Sequence, residues 1–228
     1  MGTKTNPDPA TVKALSVRRR LLAWSRTHGR SFEWRNWTDV YSLVVTEILL
    51  RQTRADTVAA FVPGFLRRYP TPDRLAGAGP DLERALVPLG FGRQRSSQLR
   101  ALASALKTHP PGVTAEDLRT LPGVGPYSAG IIAATLGAGE PAVDTNVSRV
   151  ICRVFGVKPS HSEPRKSRNV WEIARQLTKD AKRPANVTWA ILDLAAGTCI
   201  NTNPHCSICP LRTLCDFRLR SNRGEPPG

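Results

Sequence analysis

The chain has almost nothing from which to build a sheet. Across 228 residues no run of alternating β-branched residues is bounded by turn residues, which points away from a sheet-based fold. It also lacks a long apolar run: nothing approaches the roughly 20 residues that cross a bilayer. The N-terminal MGTKTNPDPA is polar and unlike a secretory signal, so a cytoplasmic chain is expected. Internal repeats and low-complexity segments are missing. Acidic charge is scarce, with 18 Asp and Glu against 33 Lys and Arg and a net charge of +15. The basic residues are spread along the chain, and such an excess commonly meets polyanions, because each neutralised phosphate releases a counterion. A bias toward arginine in the organism's coding is the alternative, since arginine greatly outnumbers lysine.

What is present is helical periodicity. Residues 10–28 place Val12, Leu15, Leu22 and Trp24 among polar residues; 39–51 carry Leu43, Val44, Ile48 and Leu50; 93–107 carry Leu99, Leu102 and Leu106. Further helices are expected near 55–69, 80–88, 114–120, 127–136, 144–156, 167–180 and 186–198. Pro and Gly punctuate them, at Pro63-Gly64, Pro70 to Pro72 and Gly137 to Pro141 among other places. About ten short helices make an all-α protein. Residues 1–9 and 218–228 are expected to be disordered.

Four of the five cysteines crowd into CINTNPHCSICPLRTLC: Cys199, Cys206, Cys209 and Cys215. In a reducing compartment such a run reads as a metal centre rather than as disulfides. Zinc commonly uses two short Cys-x-x-Cys pairs. One pair flanked by longer arms favours a four-iron cluster over zinc. Cys152, in the apolar run VICRVFGV, reads as a small core residue. His205 is either a stray ligand or an exposed loop histidine.

Between two expected helices lies Leu121-Pro122-Gly123-Val124-Gly125-Pro126-Tyr127-Ser128-Ala129-Gly130. Two glycines spaced by one residue allow a tight turn that leaves the amides of the next helix facing outward, suited to a phosphate oxygen. A plain helix–helix turn is the alternative. Seventeen residues after Tyr127 comes Asp144 in PAVDTNVSRV, at the start of another helix, where it would at least serve as an N-cap.

LPGVGPYSAG, then VDTNVSRV, then the cysteine run resembles, in content and order, the helix–hairpin–helix DNA glycosylases of the endonuclease III and MutY superfamily. The similarity extends from about Trp24 to Cys215. It implies a two-lobed all-α fold: a six-helix barrel over 38–149, and a second lobe of 10–37 with 150–217 that carries one structural [4Fe–4S] cluster on Cys199, Cys206, Cys209 and Cys215. The active site would lie in the cleft between the lobes, and a monomer would act on double-stranded DNA with a mismatched or damaged base. Asp144 matches the catalytic carboxylate, whose negative charge suits the positive charge that grows on the sugar as an N-glycosidic bond breaks. The backbone of Gly123, Val124 and Gly125 would meet the DNA.

The resemblance also sorts the finer choices. Tyr127 stands where bifunctional members carry a Schiff-base lysine, so the chain resembles a monofunctional glycosylase, unless the ring merely packs. Glu47 interrupts the apolar face of TEILLRQT. It matches a base-pocket glutamate that protonates the departing base, and a Glu paired with a buried Arg is the structural alternative. Gln52 matches a residue that fills the gap left by a flipped base, and Arg51 is placed against the orphaned partner base. TEILLRQT and the Phe91 stretch LGFGRQRSSQL resemble the compact thymine/uracil mismatch enzymes, called MIG. A MutY-type adenine glycosylase is the second reading, and the extra C-terminal domain of that type is expected to be missing. INTNPH lacks the Lys or Arg that relatives often set against phosphates, and Arg212, Arg218 and Arg220 could substitute. A non-catalytic iron–sulfur DNA sensor would share the charge, hairpin and cysteines, but it would not need both Glu47 and Asp144.

Overall fold

The computed structural model describes residues 8–139 and 141–224. Among these residues the chain is helical and contains no strand. It forms two compact units, one from the N-terminus to Arg30 together with Gly139 onward, the other Ser31–Ala138. No helix among the described residues is long and apolar enough to cross a membrane.

In the first unit, α1 (Pro9–His28) begins at Asp8, whose side chain accepts from the Ala10 and Thr11 amides. It packs on α10 (Arg168–Thr178) and α11 (Pro184–Gly197), and both of these meet α9 (Thr145–Phe155). Their apolar faces form one core that includes Ala14, Val17, Leu21, Val147, Ile151, Leu177 and Leu194, all at most 3% exposed. The buried Asp193 of α11 takes both the Arg30 backbone N–H at 3.1 Å and its Nε at 2.8 Å, which fixes the chain as it leaves α1.

The second unit holds α2 (Val40–Leu50), α3 (Ala55–Arg68), α4 (Pro72–Ala76), α5 (Asp81–Leu86), α6 (Gly92–Thr108), α7 (Ala115–Leu118) and α8 (Pro126–Thr135). α4 and α5 both pack on α6, and α2 meets α3, α6 and α8. Val44, Leu49, Val58, Leu75, Leu86, Leu99 and Leu118 are fully buried there.

Several expectations shift. The units divide at 30/31 and 138/139 rather than at 38 and 149. The reason is the apolar face of α9, which joins the α1 core instead of the barrel. At the other boundary a 3-10 turn over Glu33–Asn36 packs on α2, with Phe32 and Trp34 stacked 4.5 Å apart. α3 runs through Pro63, which removes one ladder hydrogen bond, because the buried Val58, Val62 and Phe65 lie on both sides of it. The tail beyond 217 is partly ordered: α12 spans Asp216–Asn222 and packs on α9. Residues 1–7 and 225–228, also expected to be disordered, lie outside the described residues.

Candidate functional site

The hairpin between α7 and α8 is built as its sequence dictates. Gly123 sits at φ +78°, in the left-handed region that disfavours side chains. The Val124 N–H closes the turn on the Leu121 carbonyl at 3.1 Å. Gly125 is the N-cap of α8, Pro126 is its first residue, and no side chain caps it. The first-turn amides are thus left to an outside acceptor such as a phosphate oxygen. The Val124 side chain is buried and its amide is used by the turn. It anchors the hairpin from within.

Arg51 Nη2 donates to the Gly123 carbonyl, so the guanidinium braces the hairpin. Behind it lies a residue that the sequence reading missed. Arg95 is 4% exposed. Its guanidinium donates to the Leu89 carbonyl at 3.0 Å, to the Thr53 hydroxyl at 2.7 Å and to the Arg51 carbonyl. These acceptors belong to two separate loops, 51–54 after α2 and 87–91 before α6. Each loop carries one exposed residue held in the left-handed region: Gln52 at φ +53° and Phe91 at φ +54°. Phe91 is 59% exposed, an unusual position for a phenylalanine. Left-handed non-glycine residues cost about 1–3 kcal/mol and persist only where the surroundings impose them. Arg95 is one such restraint. Another is Gly92, where a Cβ would come within 2.9 Å of the Glu83 carbonyl. The available signal for Arg95 was its register, since it shares the buried stripe of Leu99, Leu102 and Leu106 on α6.

Glu47 is half-buried on α2, between the buried Thr46 and Ile48, and Tyr127 is half-buried in the first turn of α8. Both residues have interaction partners. Asp144 belongs to the other unit and is the N-cap of α9, as its bland reading expected. Oδ1 accepts from the Val147 N–H at 2.7 Å and Oδ2 from the Asn146 side-chain amide at 2.9 Å. Each oxygen has one donor, so acceptor capacity remains on a carboxylate whose orientation is fixed. Asn146 is a second residue that the sequence reading missed, and only its place two residues beyond the cap hinted at the contact.

The cysteine segment is held by α9. Arg149 donates to the carbonyls of Cys199 at 3.0 Å and Ala195 at 3.1 Å. Arg153 donates to the carbonyls of Ile200 at 2.6 Å and Asn201 at 2.7 Å, with Nη1 3.6 Å from the Cys199 Sγ. The Cys215 thiol points to the Arg153 carbonyl at 3.4 Å. Burial pushes the Cys209 thiol up to about 11, and the neighbouring Cys199, Cys215 and Cys206 add to that shift. The cysteine segment is thus held against α9. Among the described residues, however, no group of three or more His, Cys, Asp or Glu stands close enough to hold a metal ion. A tetrahedral zinc at about 2.3 Å from each sulfur would need the sulfurs about 3.8 Å apart. His205 is an exposed loop residue, 3.2 Å from the Gly197 carbonyl. Cys152 is half-buried against the core, and burial raises its thiol.

Against known proteins, the chain is 38% identical over 217 residues to the thymine-DNA glycosylase of Aeropyrum pernix, covering 92% of this chain and 96% of that one. It is 34% identical over 223 residues to the thymine/uracil-DNA glycosylase of Pyrobaculum aerophilum, covering 94% and 97%. The adenine DNA glycosylase of Homo sapiens is 35% identical over 227 residues, but the match covers only 41% of that protein against 93% of this one. The solved structure of a thermostable thymine-DNA glycosylase superposes with a TM-score of 0.84 at 25% identity, over 93% of this chain and all of that one. Residues 45–186, which hold the hairpin, Glu47 and Asp144, match the description HhH-GPD superfamily base excision DNA repair protein. A glycine hairpin opening a helix, an oriented carboxylate beyond it and a match over more than half the length lead to one conclusion: the chain belongs to the HhH-GPD superfamily of base excision DNA repair proteins.

Proposed function

We propose that this chain is a monofunctional DNA glycosylase that hydrolyses the N-glycosidic bond of a thymine or uracil mispaired with guanine. The observation that carries this reading is the likeness, over almost their whole length, to a thymine and a thymine/uracil glycosylase. The site chemistry is consistent with it. The Asp144 carboxylate, fixed by Val147 and Asn146, would stabilise positive charge on the sugar and orient the attacking water. Water adds to the anomeric carbon as the C–N bond breaks, and the departing base takes a proton for which Glu47 is the candidate donor. Gly123, Gly125 and the uncapped start of α8 would hold a phosphate. Gln52 and Phe91 would fill the space that a flipped base leaves, and a mispaired base costs less to flip. Tyr127 has no amine, so no Schiff base with the sugar can form there.

The test uses duplexes with a single T·G, U·G, A·8-oxoguanine or A·G pair, scored for alkali-sensitive breaks, with borohydride present in parallel reactions. Release from T·G and U·G is expected, with the strand intact before alkali and no trapped adduct. Release of adenine with T·G and U·G untouched would replace this reading with the MutY-type one. Binding to every duplex without any release would favour a sensor.

We also propose that Cys199, Cys206, Cys209 and Cys215 hold one [4Fe–4S] cluster. Its support is the spacing of the four cysteines in one segment held by Arg149 and Arg153 of α9, with the Arg153 guanidinium beside Cys199. When bound, the cluster would cross-link the C-terminal segment to the end of α11, where Cys199 follows. An anaerobic preparation is expected to be brown, with about four irons per chain. Stoichiometric zinc without iron would refute the assignment.

A further inference from the structure

Beside the cysteine segment the first unit contains a cavity of about 380 Å³, within the usual range of ligand sites. Its long wall is the outward face of α9, which presents Arg149, Cys152 and Arg153. α12 supplies Phe217 and Arg220, and Lys158 stands in the wall beyond α9. Among the described residues no carboxylate lines it. Asp216, which opens α12, is paired with Lys13 at 2.7 Å.

The four cations are not equivalent. Arg149 and Arg153 direct their N–H groups at carbonyls of residues 195–201, and Arg153 also lies 5.1 Å from the centre of the Phe217 ring. Among the described residues, the side chains of Lys158 and Arg220 make no hydrogen bond or ion pair. Their backbones alone are engaged, the Lys158 carbonyl by the Asn169 side chain at 2.8 Å and Arg220 within α12, where its carbonyl accepts from the Arg223 N–H at 2.9 Å. Two uncommitted cations, backed by two committed ones and opposed by no lining carboxylate, make a site complementary to an oxyanion. The neighbouring stretch from Ile200 to His205 has no Lys or Arg to offer.

We propose that this cavity is a phosphate-binding site that takes a phosphodiester of the bound duplex, with Lys158 and Arg220 as its free donors. The proposal rests on the DNA-binding reading above and adds an anchor separate from the hairpin. A free nucleotide offers the same chemistry, so the test has two arms. In the first, wild type and the Lys158→Ala/Arg220→Ala double variant bind undamaged duplex across 50–200 mM salt. Losing one phosphate contact should flatten the slope of log K against log salt by about 0.9, which is about a 3.5-fold smaller loss of affinity over that range. Lys158→Ala alone changes an exposed position and should move the slope in the same direction, while Lys158→Arg should preserve it. In the second arm both proteins are titrated calorimetrically with a deoxynucleoside monophosphate. A flattened slope without mononucleotide heat supports the duplex as the source. Heat in wild type that vanishes in the double variant, at an unchanged slope, supports the same site serving a free nucleotide. An unchanged slope and no heat overturn the proposal. Undamaged DNA offers no base to excise, so this failure is distinct from failure of the glycosylase reading.

Discussion

Asp144→Asn is expected to slow single-turnover base release by roughly 10²–10⁴-fold, the range for losing a charged group that acts in the transition state. The same variant should melt within a few tenths of a kcal/mol of wild type, because Asn caps a helix about as well as Asp. Asp144 both caps α9 and presents a carboxylate, so this substitution separates the two roles. Asp144→Ala should lose the chemistry and also about 1 kcal/mol of stability, because the Val147 amide loses its acceptor. Single-turnover rates on a T·G duplex and thermal melts of both variants check this. If Asp144→Asn released the base at the wild-type rate, the carboxylate would be a cap and nothing more.

Arg95→Met should be the most damaging single change in the second unit. Methionine keeps the apolar stem on α6 but strips the donors from the Leu89 and Arg51 carbonyls and from the Thr53 hydroxyl. The Thr53 hydroxyl can still donate to one of the two carbonyls, Leu89 at 3.3 Å or Arg51 at 3.4 Å, but not to both, and each acceptor left unpaired costs about 1–3 kcal/mol where it stays buried. A total near 3 kcal/mol would lower Tm by roughly 6–12 °C for a chain of this size. Arg95→Lys should recover little, since an ammonium cannot replace the planar fork. A merely structural arginine would loosen the whole unit. Arg95 as a positioning residue predicts more: amide exchange should rise first at 51–54 and 87–92, and KM for a mispaired duplex should rise as Gln52 and Phe91 lose their imposed backbone. Uniform exchange across the unit with an unchanged KM would remove the positioning role and leave only a core residue.

The features legible in the sequence are those that a short stretch specifies by itself. Gly-Val-Gly-Pro can turn only in a few ways, and the φ of Gly123 follows from its having no side chain. The Asp before Thr145 was bound to cap whatever helix followed. Most helices announced themselves by period, because a buried stripe must recur at about 3.6 residues whatever it packs against. The four cysteines needed no partner prediction beyond one another.

What only the tertiary structure decided are the long-range partners of long side chains. Arg51 reaches a carbonyl 72 residues away and Arg95 one 44 residues away. Arg149 and Arg153 bridge 46 to 50 residues to the cysteine segment. In sequence each is one more arginine in a basic chain, and backbone carbonyls, their acceptors, carry no residue-type signature. The unit boundary has the same origin: the apolar stripe of α9 says that it is buried but not against which core. The sequence by itself determined most helices, the hairpin and the capped carboxylate, because local backbone chemistry and periodicity fix them. The fold decided which arginines brace the hairpin, which clamp two loops and which remain free for a phosphate, because that depends on which carbonyls packing brings within reach.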